Sequence, residues 1–143
     1  LKPVVVDVDL DTLDVNSARL EEAISSKTKA IMMAHTLGNP FDLDTVQRLC
    51  KENNLWLIED SCDALGSTYR GQRTGSFGDT ATLSFYPAHH ITTGEGGAVL
   101  VKSPLVKKQA ESLVENTVYW HTWNSKTSSW GSNEWFYLIE RKN

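Results

Sequence analysis

Only two cysteines, Cys50 and Cys62, occur in the 143 residues of the chain, at a separation that matches no zinc spacing and does not suggest a disulfide framework. A reduced, cytoplasmic setting is the default expectation for such a chain. No apolar run approaches the roughly 20 residues that a membrane-spanning helix needs, and no signal-peptide pattern opens the sequence. Positive charge is in the minority. The 14 Lys and Arg against 18 Asp and Glu give a formal charge of −4, so neither nucleic acid nor an anionic membrane is expected as a partner. There is no internal repeat and no low-complexity linker. What is left is the make-up of one ordinary globular domain, long enough for a single core and short for two. The chain opens at Leu1 directly on a strand-like run, as expected of a fragment.

Along the chain, short apolar runs alternate with helical patterns. Residues 2–10, KPVVVDVDL, are β-branched and predict a short buried strand. Asn16 is placed to cap a helix whose Leu20, Ala23 and Ile24 share one face. Residues 29–35, KAIMMAH, form a second apolar run, and Gly38, Asn39 and Pro40 follow as a turn. Asp42 or Asp44 then caps a helix that turns Val46, Leu49 and Cys50 inward and ends near Asn53 and Asn54. LWLIED, residues 55–60, is a third strand, ending in two acids. ATLSFY (81–86) and GAVLV (97–101) are further strands, and Ser103 with Pro104 starts another helix. This alternation predicts an α/β domain of three layers with a mainly parallel sheet. From 117 to 143 the pattern changes: four of the five tryptophans fall there, among Ser, Thr and Asn without a clear period. Residues 1–116 are thus expected to form the domain, with 117–143 a divergent Trp-rich tail of unassigned structure.

An open parallel sheet binds ligands beyond the carboxyl ends of its strands. That rule selects His35, the pair Glu59 and Asp60, and the stretch Ser84 to Gly97. A carboxylate at a strand mouth needs a partner. For Asp60 the pattern leaves two readings open, a cationic ligand group or the amides of the next turn. In SFYPAHHITTGEGGAV, residues 84–99, adjacent histidines precede Gly94, Gly96 and Gly97, which permit tight turns and close approach of a ligand. Adjacent histidines seldom converge on one ion, so a metal site is not expected there.

The segments AHTLGNPFDLDTV, LWLIEDSCDALGSTYRGQRTGSFGD and SFYPAHHITTGEGGAV together resemble the DegT/DnrJ/EryC1/StrS family, over residues 3 to 115. The resemblance implies part of the large domain of a fold-type-I enzyme that uses pyridoxal or pyridoxamine phosphate on nucleotide sugars. Within the family the segments look most like the CDP-4-keto-6-deoxyglucose 3-dehydratase branch of lipopolysaccharide and O-antigen sugar synthesis. Most members read S-F-H-P-x-K where this chain has Ser84 through His89, and their lysine forms a Schiff base with the cofactor. Histidine at that position implies use of pyridoxamine phosphate, with His89 as the base in expelling the hydroxyl at carbon 3 of a 4-keto-6-deoxyhexose. A neutral-range pKa suits a group that takes and returns protons. By the same resemblance Asp60 pairs with the pyridine nitrogen, Asp63 approaches the ring hydroxyl, and Ser84 contacts the phosphate. His90, Thr92 and Glu95 are given supporting roles only.

The resemblance further implies a CDP- or GDP-linked sugar substrate, a homodimer or higher oligomer, and a reductase partner for the complete enzyme. It also marks departures. Family members are longer, and the iron–sulfur cluster of the CDP-sugar branch finds no cysteine in the tail, so that cluster is not expected here. Two other functions compete. A nucleotide-sugar aminotransferase would need a lysine at residue 89, and Lys102 follows a strand that points it elsewhere. A truncated, non-catalytic remnant that self-associates would use the tryptophans as a buried patch.

Overall fold

The computed structural model describes residues 1–116 and the strands 122–124, 129–131 and 137–141, with side chains described as far as residue 112. In order the elements are α1 (Ser17–Ala23), β1 (Ala30–Ala34), α2 (Leu43–Asn53), β2 (Trp56–Asp60), β3 (Thr68–Tyr69), β4 (Gln72–Arg73), β5 (Thr80–Ser84), β6 (Gly97–Val101), α3 (Pro104–Asn116), β7 (Thr122–Asn124), β8 (Ser129–Gly131) and β9 (Tyr137–Arg141). Both early helices start on the capping residues expected. Asn16 accepts the Arg19 amide at 3.2 Å, and Asp42 accepts that of Thr45 at 3.2 Å; each satisfies a donor that has no partner within its helix. Asn54 closes α2 in the left-handed region, φ 52°, a conformation asparagine tolerates better than most side chains.

The main sheet runs β1-β2-β5-β6-β9. β1, β2 and β5 are mutually parallel, β6 is antiparallel to β5, and β9 is parallel to β6. The architecture is therefore α/β with a mainly parallel sheet, as the alternation predicts. Successive side chains on a strand face opposite ways, and the register sorts them. Ile31, Met33, Leu57 and Glu59 face α2. There Leu43, Val46, Leu49, Phe41 and Leu20 complete a buried core. Each such large side chain contributes about 1.5–3 kcal/mol through burial. Met32, Ile58, Asp60, Thr80 and Thr82 occupy the other face. α3 packs against β6 and β9.

Residues 2–10 correct the reading of them as a buried strand. They carry only an isolated bridge, Val8 with Val15, and Val4 and Val5 are 69% and 92% exposed. A strand needs a continuous lateral partner for its amides, and the lateral bonds of this run are only the two of that bridge, Asp9 N to Asp14 O at 2.9 Å and Asn16 N to Asp7 O at 3.0 Å. The short hairpin β3–β4 is an addition to the pattern read from sequence. Its two-residue loop places Arg70 and Gly71 at φ 49° and 80°, the pair of positive values that matches the twist of a tight hairpin. Of the Trp-rich tail, three strand backbones are described, and the rest of the expectation for 117–143 lies outside the described residues. No helix among the described residues is long and apolar enough to cross a membrane.

Candidate active site

β1, β2 and β5 run the same way, so their carboxyl ends open on one rim of the sheet. His35 follows the first, Asp60 ends the second and Ser84 ends the third. The adjacent acids Glu59 and Asp60 face opposite sides. Glu59 points into the core on the α2 side and is fully buried. Its Oε1 accepts the amides of Phe77 at 2.7 Å and Gly78 at 2.6 Å, while Oε2 accepts the Gly75 amide at 2.6 Å and meets His35 Nε2 at 3.0 Å. Burial alone raises this carboxyl's pKa, but the hydrogen bonds from His35, Gly78 and Gly75 outweigh it and leave the value below that of an ordinary glutamate. His35 is equally buried, stacks on Phe41 at 4.3 Å between ring centroids, and donates its backbone amide to the Asp60 carbonyl at 3.0 Å. The pair thus braces the end of β2. Of the two acids at the end of β2, only Asp60 lies on the face that Thr82 and Ser84 share.

Asp60 is partly buried and held on one oxygen. Oδ1 accepts the Cys62 amide at 3.1 Å and the Thr82 hydroxyl at 3.3 Å. Thr82 lies directly across from Asp60 in the register; sequence reasoning missed it, although Ser84, two residues on along the same face, was picked out. Of the two readings left open for Asp60, the turn amide is present, donated by Cys62 to Oδ1. The nearby Cys62 thiol is pushed up to about 11 by burial and by Asp60, so it stays protonated near neutrality and adds no charge to the rim. Ser84 accepts the Tyr86 amide on its hydroxyl at 3.3 Å.

Beyond the strand ends the structure joins two of the selected residues. His89 Nδ1 lies 2.9 Å from Asp63 Oδ1, with the His89 side chain 21% exposed and that of Asp63 50%. The His89 backbone amide donates to the Tyr86 carbonyl at 2.9 Å, and the two rings meet edge to face. The loop that carries them is stapled by Phe85 N to Gly96 O at 2.9 Å and Thr93 N to Phe85 O at 3.1 Å. A Cβ on Gly96 would collide with the Thr93 hydroxyl. His90, Thr92 and Glu95 are exposed on this loop. Thr92 accepts the Gly94 amide at 3.0 Å. Lys102 is elsewhere: its ammonium donates to the Phe77 carbonyl at 2.9 Å, which also accepts from Gln47 of α2 at 3.1 Å. That carbonyl is on the α2 side of the sheet. Among the described residues no group of three or more His, Cys, Asp or Glu side chains could hold a metal ion.

A pyridine-based phosphate cofactor fits this rim chemically. A partly buried carboxylate suits a protonated ring nitrogen, and the small and hydroxyl-bearing residues Ala34, Thr82 and Ser84 share its face of the sheet.

Residues 1–134 match the model of the DegT/DnrJ/EryC1/StrS aminotransferase family. The lipopolysaccharide biosynthesis protein RfbH of Salmonella typhimurium is 60% identical over 113 residues, 79% of this chain and 26% of that protein. The dTDP-4-dehydro-2,6-dideoxy-D-glucose 3-dehydratase of Saccharopolyspora spinosa is 56% identical over 113 residues, 79% of this chain and 24% of its own length. Among solved structures, the Escherichia coli GDP-4-keto-6-deoxy-D-mannose-3-dehydratase with bound hydrated PLP superposes with a TM-score of 0.61 at 38% identity, covering 64% of this chain and 24% of that one. The chain spans about a quarter of the length of these relatives.

Proposed function

The chain belongs to the DegT/DnrJ/EryC1/StrS aminotransferase family, and from that membership we propose that it carries the catalytic rim of a pyridoxamine-phosphate-dependent nucleotide-sugar 3-dehydratase. The observation that carries the reading is His89. It stands where the family pattern has lysine, it is held by Asp63, and Lys102, which follows β6, is tied to the α2 side. The 3-dehydratase names of two similar proteins point the same way.

When bound, the cofactor would supply an electron sink for the electron pair left by proton removal, the pair that is then spent in expelling the hydroxyl at carbon 3. The chain's own residues do the rest. Asp60, steadied by Thr82 and the Cys62 amide, keeps a cationic ring nitrogen charged, because an adjacent carboxylate favours the protonated form. Ser84 and the turn behind it offer hydroxyl and amide groups to a phosphate. His89 accepts a proton at Nε2 and returns it, the work of a general acid and base. His35 and Glu59 hold β2 in register from below. The substrate class is a nucleoside-diphosphate-linked 4-keto-6-deoxyhexose, in the setting of lipopolysaccharide sugar synthesis, and the working assembly is a dimer or larger.

Product identity tests the proposal. Pyridoxamine phosphate and a CDP- or GDP-linked 4-keto-6-deoxyhexose are incubated with the protein, and the sugar nucleotide is weighed by mass spectrometry. Loss of the carbon-3 oxygen without gain of nitrogen is expected. Accumulation of a 4-amino sugar would assign the site to amino transfer instead.

A further inference from the structure

The contact between Asp63 and His89 has a direction. A carboxylate only accepts, so at 2.9 Å it selects the imidazole form that carries hydrogen on Nδ1. Nε2 then holds the lone pair. Free imidazole side chains favour the opposite tautomer, with hydrogen on Nε2, which could not take up a proton there. We propose that Asp63 is a positioning residue that fixes the tautomer and ring orientation of His89, so that Nε2 is the proton-accepting nitrogen. This deepens the dehydratase reading and rests on His89 being its base.

Three observations support the assignment. With Asp63 half exposed, the pair contributes little to folding, so stability does not account for it. Both partners are held from their backbones. His89 is pinned through its amide to the Tyr86 carbonyl and bordered by the Tyr86 ring. Asp63 sits in a turn closed by Ala64 N to Ser61 O at 3.0 Å. Gly38, at φ 83°, packs against the Asp63 carbonyl so closely that a Cβ would sit 3.0 Å from it, and the Gly38 carbonyl is in turn held by the Ser67 hydroxyl at 2.8 Å. The pair is therefore a nonlocal contact between two braced loops, the arrangement needed to aim an imidazole.

The test is long-range proton–nitrogen NMR of the His89 imidazole in the unsubstituted protein, Asp63→Ala and Asp63→Glu. The native protein should show hydrogen on Nδ1 and an unprotonated Nε2 in the neutral ring. Asp63→Ala should convert His89 mainly to the Nε2–H form, while Asp63→Glu restores the native pattern. In the dehydration assay Asp63→Ala should lower kcat by about 10–100-fold, with little change in KM. An Nε2–H tautomer in the native protein, or the same tautomer in native and Asp63→Ala, would overturn the assignment. The NMR arm needs no turnover, so it fails only if the pair is wrong; absent dehydration by the unsubstituted protein counts instead against the proposed function.

Discussion

Replacing Glu59 with alanine is the most severe single change the structure predicts at this rim. The carboxylate is fully buried and receives three backbone amides and one imidazole, at 2.6–3.0 Å. Its removal leaves those donors facing a cavity that apolar neighbours line. An unsatisfied buried donor costs about 1–3 kcal/mol, and breaking a buried charged pair about 3–5 kcal/mol. The donors partly relax toward one another, so a loss of about 4 kcal/mol is expected, roughly a thousandfold in the folding equilibrium. Against the 5–15 kcal/mol typical of a domain, that is a large share of the whole. Glu59→Gln keeps one acceptor oxygen and should lose about 2 kcal/mol. Urea unfolding followed by Trp fluorescence measures both. The pH dependence adds an independent check. Because the folded pKa of Glu59 lies below the unfolded one, its stabilisation is full above the ordinary glutamate value, about 4.3, and is lost as pH falls through the lower folded value. Glu59→Gln should flatten the acid limb of the stability curve in that window. A Glu59→Ala protein within 1 kcal/mol of native, or an unchanged acid limb in Glu59→Gln, would refute the reasoning.

Two further outcomes follow from the geometry. A Cβ at Gly78 would sit 2.6 Å from the Leu57 carbonyl oxygen, so Gly78→Ala should cost about 1–3 kcal/mol by forcing β2 away from the loop, measured as a lower urea midpoint at unchanged slope. His89→Asn should reduce dehydration by at least about 100-fold while leaving cofactor affinity within about twofold, read by parallel turnover and titration experiments.

Much of this architecture could be read from residue order because helices and parallel strands leave local signatures. Asp42 before an amphipathic run predicts α2 and its cap, and the apolar run ending in Glu59 and Asp60 predicts β2. The opposite facing of those two acids follows from strand alternation alone, and so does Thr82, two residues before Ser84. Residues 2–10 failed for a physical reason: β-branched composition states a preference, whereas a strand forms only against a partner. The hairpin at 68–73 was too short for a periodic signal, and Gly71 was its one readable mark. The pairing of Asp63 with His89 joins loops 26 positions apart, and nothing local encodes it. His35 and Glu59 were singled out by their places at strand ends, but their burial as a pair depends on the loop at 75–78 folding back over β2.

The account stands most directly on binding of pyridoxamine phosphate at Asp60. Absorbance and calorimetric titration of the purified protein should show saturable binding, weakened at least about tenfold in Asp60→Ala, as expected when a charged hydrogen bond is lost. No binding at millimolar cofactor, or equal affinity in the variant, would contradict it.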